Sequence, residues 1–256
     1  MNSKVFIVLL FLLSTTIFAN AQSVDEILQR FASDYQSDIN LKEDSSFGIQ
    51  VDDEMWTVSA TAAKGTIPAK VVIQKGKPQQ PTFYFTLDRA SLLKIDKGEL
   101  NAKTAMAKAF ESDKSPMDIE AMEGFVPPQD FTAKILETTF HFWTRGFPEV
   151  IRYGDGHTRF THGADVTVFY YQPGLRSAWG SLKKGMHANE NPKSQTNEFP
   201  SLVIVTQGKG QARIGGKEMQ VEKGQAIFIP KDVTHEFWNN NDQPLEIILL
   251  MFGEGA

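Results

Sequence analysis

Residues 224–239 read Gly224-Gln225-Ala226-Ile227-Phe228-Ile229-Pro230-Lys231-Asp232-Val233-Thr234-His235-Glu236-Phe237-Trp238-Asn239. Ala226–Ile229 is a short apolar run of strand type, and Pro230 to Asp232 break it, because proline fixes φ and offers no N–H while aspartate tolerates a turn. Outward from this stretch the same grammar recurs. Val166, Val168 and Tyr170, then residues 202–205, 211–214 and 245–251, are further short strand signals separated by Gly, Asn, Asp and Pro. Gly208, Gly210 and the run Ile214-Gly215-Gly216-Lys217 supply turns between them. Many short strands with turn residues between them predict an antiparallel barrel or jelly roll over residues 165–256.

This part of the chain, about residues 165–252, resembles the cupin family. The Gly, Pro, His and Asn of the second cupin motif stand at Gly224, Pro230, His235 and Asn239, spread over sixteen positions. Only Asp232 departs, where the family usually has glycine, and both residues accept the turn conformation. In metal-binding cupins a first motif brings two histidines and a glutamate ahead of the glycine matched here to Gly208. Counting back places Gln195 and Asn197 at the histidine positions and Ser201 at the glutamate position. Neutral amide and hydroxyl oxygens hold divalent transition metals far more weakly than imidazole and carboxylate do. The resemblance therefore implies a metal-poor pocket, with no cofactor expected beyond a weakly bound divalent metal. A shifted alignment that carries His187, Glu190 or Glu198 toward His235 is the alternative, and it makes His187 and His235 the candidate metal ligands.

The expected ligand pocket consists of Gln195, Asn197, Ser201, Phe228, His235 and Trp238. His235 is the candidate catalytic group, since a neutral imidazole with a pKa near the working pH suits proton transfer. The plainer readings are a histidine held by a polar neighbour, and Phe237 and Trp238 as barrel packing. Because cupins commonly dimerise, a homodimer through the barrel is an expected partner.

The other end of the chain reads differently. Lys4, an apolar run over residues 5–18 and Ala19-Asn20-Ala21 have the order of a cleavable secretory signal peptide, which predicts a mature chain beginning at Gln22, periplasmic or secreted. The run falls short of the roughly 20 apolar residues needed to span a bilayer, so no transmembrane span is expected. There is no cysteine, hence neither a disulfide framework nor a thiol for a lipid. Loss of the first 21 residues removes one lysine and moves the formal charge from -5 to -6. An acidic chain without a basic stripe makes nucleic acid an unsuitable partner.

Ser23 with Glu26 is a capping box, and Ile27, Leu28, Phe31, Ala32 and Tyr35 follow at helical spacing. Strands are predicted at residues 47–51, 56–60, 70–74 and 82–87, the last with Phe83, Phe85 and Leu87 on one face. Helices are predicted at residues 88–95, capped by Asp88, at 102–110, capped by Asn101, and at 131–145, capped by Asp130. Residues 146–165 read as a glycine-rich boundary, and His157 and His162 within it as surface loop.

The order helix, strands, a strand ending in Asp88, Leu92-Leu93, then Gly98-Glu99-Leu100-Asn101 resembles the sterol carrier protein-2 (SCP2-like) family over residues 24–122. The resemblance implies a five-stranded sheet under helices enclosing an apolar tunnel for fatty acids, acyl chains or sterols. On that reading Phe83, Phe85, Leu92, Phe140 and Trp143 are the candidate lipid-binding residues, although an apolar helical stripe is core by default. The expected whole is an α+β chain with a leader at 1–21, an SCP2-like domain at 22–122, a helix and linker at 123–164 and a cupin domain at 165–256. Its expected function is that of an exported protein binding a lipid or other apolar small molecule in the first domain and a small ligand in the second. The alternative is a cupin enzyme acting on a small carbonyl or sugar-derived substrate through His235, as an isomerase, lyase or oxygenase.

Overall fold

Ser23 caps the first helix as its spacing from Glu26 predicts: the Ser23 hydroxyl accepts from the Glu26 amide and the Ser23 amide donates to the Glu26 carboxylate. The computed structural model describes residues 22–108, 112–129, 131–146 and 148–256; the expected leader, the expected cap Asp130 and the side chain of Phe140 lie outside the described residues. Helix α1, Val24–Gln36, buries Ile27, Leu28, Phe31 and Tyr35. Five strands follow, β1 (Ser45–Val51), β2 (Glu54–Thr61), β3 (Lys70–Lys75), β4 (Phe83–Leu87) and β5 (Met117–Ala121), in the order β3-β2-β1-β4-β5. Only β1 and β4 pair in parallel; the other neighbours are antiparallel. Strand β4 alternates as read, with Phe83, Phe85 and Leu87 buried.

Helices α2 (Arg89–Asp96), α3 (Ala102–Met106) and α4 (Phe131–Phe142) complete the first domain. Leu92 and Ile95 of α2, Phe142 of α4 and the following Trp143 share one core with α1 and the sheet. The rings meet edge to face, Phe47 with Phe142 at 5.2 Å and Phe85 with Trp143 at 5.6 Å, an arrangement favoured by aromatic quadrupoles.

Two helices are shorter than the sequence predicts. α3 stops at Met106 rather than reaching residue 110, because a guanidinium from the second domain, Arg159, binds the carbonyls of Thr104, Ala105 and Ala107 and ends the helix from outside. α4 stops at Phe142, where the Thr144 hydroxyl donates back to the carbonyl of His141.

The second domain holds ten strands: β6 (Arg159–Thr161), β7 (Ala164–Gln172), β8 (Leu175–Leu182), β9 (His187–Ala188), β10 (Ser201–Gln207), β11 (Lys209–Ile214), β12 (Lys217–Glu222), β13 (Ala226–Ile229), β14 (His235–Trp238) and β15 (Leu245–Phe252). They form a six-stranded sheet, β13-β10-β15-β8-β7-β6, and a four-stranded sheet, β12-β11-β14-β9. Every pairing is antiparallel, and Leu182, Val203, Ala212, Val221, Ile229, Phe237 and Leu245 fill the space between. This is the expected jelly-roll barrel, and the chain is α+β. The stretch expected to be helix and linker divides between the domains: α4 packs in the first core, while β6 belongs to the six-stranded sheet. Among the described residues no helix is long and apolar enough to cross a membrane.

Candidate functional site

Between the two sheets of the barrel lies a cavity of about 420 Å³. Its wall is mostly apolar, from Val166, Val168, Leu182, Val203, Phe237, Ile247 and Leu249. One side is closed by the first domain, since Lys103, Met106, Ala107 and Lys108, in and just after α3, line it as well. An apolar cleft with a few polar groups is the form that small-molecule sites take.

Strand alternation sets the polar groups. On β14, His235 and Phe237 face the cavity, whereas Glu236 and Trp238 face the other side of the sheet. The backbone fastens this strand to the preceding loop: His235 N donates to the Gln195 carbonyl at 2.8 Å and Asp232 N to the Asn197 carbonyl at 2.7 Å. The His235 ring is 6% exposed, and its Nδ1 lies 3.0 Å from the Val233 carbonyl. A carbonyl only accepts, so Nδ1 carries the hydrogen and Nε2 keeps a lone pair. Burial pushes the His235 imidazole below the usual histidine range, which favours this neutral form, although the Val233 contact works the other way.

Of the six residues expected to form the pocket, Asn197 and His235 line the cavity. Ser201 is buried beside it and takes a 3.4 Å contact from the Asn197 amide. The Gln195 side chain turns to the Glu190 carbonyl, and only its backbone reaches His235. Phe228 is 57% exposed on the outside of the barrel, with Phe252 as its ring neighbour. Trp238 points away from the cavity and packs on His187 and under the Arg213 guanidinium. A one-residue step along a strand reverses the face, which removes both aromatic residues from the site.

The same rule separates the candidate metal ligands. His187 Nε2 lies 2.8 Å from a Glu236 carboxylate oxygen, and Glu236 in turn accepts from Arg213, so His187 belongs to a hydrogen-bonded chain on the face opposite His235. The shifted alignment that would join His187 to His235 is therefore corrected. Among the described residues there is no cluster of three or more His, Asp, Glu or Cys able to hold a metal. The cavity wall contributes two imidazoles and amide oxygens without a carboxylate, a donor set that does not fit a tightly held divalent ion.

The second imidazole is His162, which the sequence placed in a surface loop together with His157. His157 is on the surface, its Nδ1 near the Glu99 carbonyl. His162 is likewise exposed, in the β6–β7 turn, and it also lines the cavity, where desolvation and then the neighbouring His235 hold its pKa below the ordinary value. A usable signal was present: His162-Gly163 sits between two runs with strand character, and a two-residue loop ending in glycine marks a hairpin. The contribution of α3 had no such signal, because it arises from docking of one domain on the other.

The candidate lipid-binding residues occupy the first core. Phe83, Phe85, Leu92 and Trp143 are each under 9% exposed, and the three rings pack on one another or on Phe31, Phe47 and Phe142.

Residues 184–251 match the family profile of the cupin domain, so the C-terminal part of the chain carries a cupin domain. Among solved structures the chain is similar to a protein from Photorhabdus luminescens, at 20% identity and TM-score 0.36 over 41% of this chain and 87% of the other. A cupin 2 conserved barrel domain protein from Salinispora arenicola gives 15% identity and TM-score 0.36 over 41% and 88%. KdgF from a Halomonas species gives 17% identity and TM-score 0.31 over 36% and 81%. Comparison with curated proteins finds no match.

Proposed function

We propose that the protein is an exported binding protein whose cupin barrel holds one small, largely apolar molecule. The single observation that carries this reading is the roughly 420 Å³ cavity, apolar on most sides, with His235 presenting one lone pair into it. Export rests on the leader-like order of residues 1–21. A homodimer through the barrel remains part of the proposal, as cupins bury sheet edges in this way.

The SCP2-like reading of the first domain stays a proposal, motivated by the order of its elements in the sequence; the domain itself is a five-stranded sheet sharing a core with its helices. Its proposed ligand, a lipid, competes for room with rings already in contact. The ligand is therefore proposed to sit in the barrel, with the first domain covering one side of it. Native mass spectrometry of the chain from Gln22 to Ala256, purified without added metal or lipid, tests this. A retained mass of a few hundred daltons that is lost on filling the cavity with Val203→Trp is the expected result. Retention of that mass in the filled variant moves the ligand to the first domain, and a mass equal to one transition metal overturns the metal-poor reading.

A second reading, an enzyme, is favoured by the same lone pair: a buried neutral imidazole at a cavity wall is a competent general base. Turnover of a small carbonyl or sugar-derived substrate, lost in His235→Gln with binding retained, would establish it.

A further inference from the structure

Arg176 on β8 stands opposite Met251 of β15, and Met251 stands opposite Ser201 of β10. Directly opposed residues share a face of the sheet, and the next row on that face, Ala178, Leu249 and Val203, lines the cavity as Arg176 and Met251 do. Register thus turns an arginine toward the apolar interior of the barrel. Its guanidinium carbon lies 4.5 Å from the centre of the Tyr171 ring and 4.9 Å from that of Phe199. Contact with rings occupies the faces of a guanidinium and leaves its N–H edges for hydrogen bonds. Few of those are made. Nη2 donates to the Gly255 carbonyl at 3.1 Å, while Nε is buried without an acceptor among the described residues. The other two cations of the wall have acids of their own, Lys103 with Glu149 and Lys108 with Asp118. Among the described residues no carboxylate pairs with Arg176, and no Asp or Glu lines the cavity. A half-buried cation in apolar surroundings, with donors unused and no counter-charge, calls for an anion.

We propose that Arg176 anchors the carboxylate of a small monocarboxylic acid whose apolar body fills the barrel cavity. This rests on the binding reading given above and adds to it the charge of the occupant. The planar fork of a guanidinium matches the two oxygens of a carboxylate, and the donors that the protein leaves unused on Arg176 are the ones such a group accepts from. Beyond the guanidinium the wall is Met251, Leu249, Val203, Ile247 and Val166, which suits a hydrocarbon chain or ring and offers nothing to a second charge. A phosphate ester would turn further charged oxygens toward those side chains, so one carboxylate on an apolar body is the better fit.

The test is an NMR titration of the chain from Gln22 with octanoate and with phenylacetate, each set against its primary amide, which keeps the shape and removes the charge. Binding is read from the methyl signals of Met251, Val203 and Leu249. At least one acid should bind roughly tenfold or more tighter than its amide, the worth of a hydrogen bond to a charged group. Preference for octanoate assigns an aliphatic body and preference for phenylacetate an aromatic one, and either supports the proposal. In Arg176→Gln the acid should lose its advantage over the amide, while Arg176→Lys, which keeps the charge without the fork, should retain part of it. If neither acids nor amides bind, the cavity reading fails and this inference with it. If acid and amide bind the parent equally, the cavity reading stands and the carboxylate anchor alone is overturned. An arginine that serves only to tie Gly255 to β8 would lower the melting temperature of Arg176→Gln and leave the preference intact, which also overturns the anchor. Should Arg176→Gln fail to fold, Arg176→Lys decides: a reduced preference supports the anchor and an unchanged one overturns it.

Discussion

At the scale of single residues, the site depends on the His235 imidazole and on one glycine. His235 is held below the ordinary histidine range, chiefly by burial. A group whose pKa is depressed on folding contributes stability that is complete above its unfolded value, about 6.5, and is lost as the pH falls through the folded value. The urea midpoint should therefore drop between about pH 7 and pH 5, and His235→Gln should flatten that slope relative to the parent. An equal slope in the variant would show that other groups carry the acid sensitivity. Gly163 makes a second, simpler case. Alanine there meets both a φ of 76° and the backbone oxygen of His187, so Gly163→Ala should cost about 2 kcal/mol or more in chemical denaturation, well beyond a surface change.

At the scale of elements, the short helix α3 is the piece on which the site turns. It is too short to be stable alone, and its end is held by Arg159, whose guanidinium binds two of its carbonyls, that of the following Ala107 and the Asp113 carboxylate from a side chain only 4% exposed. Asn101 and Thr104 add bonds to Val168 of β7. Arg159→Leu would strand those carbonyls, and a loss of about 3 kcal/mol or more is expected from an unfolding curve. The companion change Asp113→Asn should cost far less, because Asp113 is half exposed and its partner keeps the carbonyls.

Elements of this kind also mark the limit of what the sequence discloses. The strands with alternating or continuous apolar residues, such as Phe83–Leu87 and Leu245–Phe252, were legible because one face must be buried. Lys217–Glu222 was not, since its two apolar residues, Met219 and Val221, are too few to set a period and only Val221 is buried. Phe228 and Trp238 were assigned to the pocket by proximity to His235, and strand alternation turned them outward. Lys103 and Met106 could not be read at all as cavity residues, because nothing local to α3 specifies which surface it will meet.

At the scale of the molecule, the two domains are joined by more than a chain crossing. Besides the Arg159 cluster, Lys103 is buried at the barrel cavity, which lowers its pKa, and is paired to both oxygens of Glu149, a partner that offsets only part of that lowering. Separating the domains would open the barrel cavity to water and leave Arg159 and the α3 carbonyls without each other. Two domains linked only by a flexible segment unfold independently, whereas domains sharing buried charges should unfold together. Scanning calorimetry of the chain from Gln22 should accordingly show one transition, with calorimetric and van't Hoff enthalpies in agreement. Arg159→Leu should split it into two, the barrel and the five-stranded domain melting apart. Residues of both domains line the barrel cavity, so a molecule filling it should raise the single transition in the parent and only the transition of the barrel in the split variant. Two transitions in the parent would mean that α3 rests on the barrel without being coupled to it, and the cavity would then open without unfolding either domain.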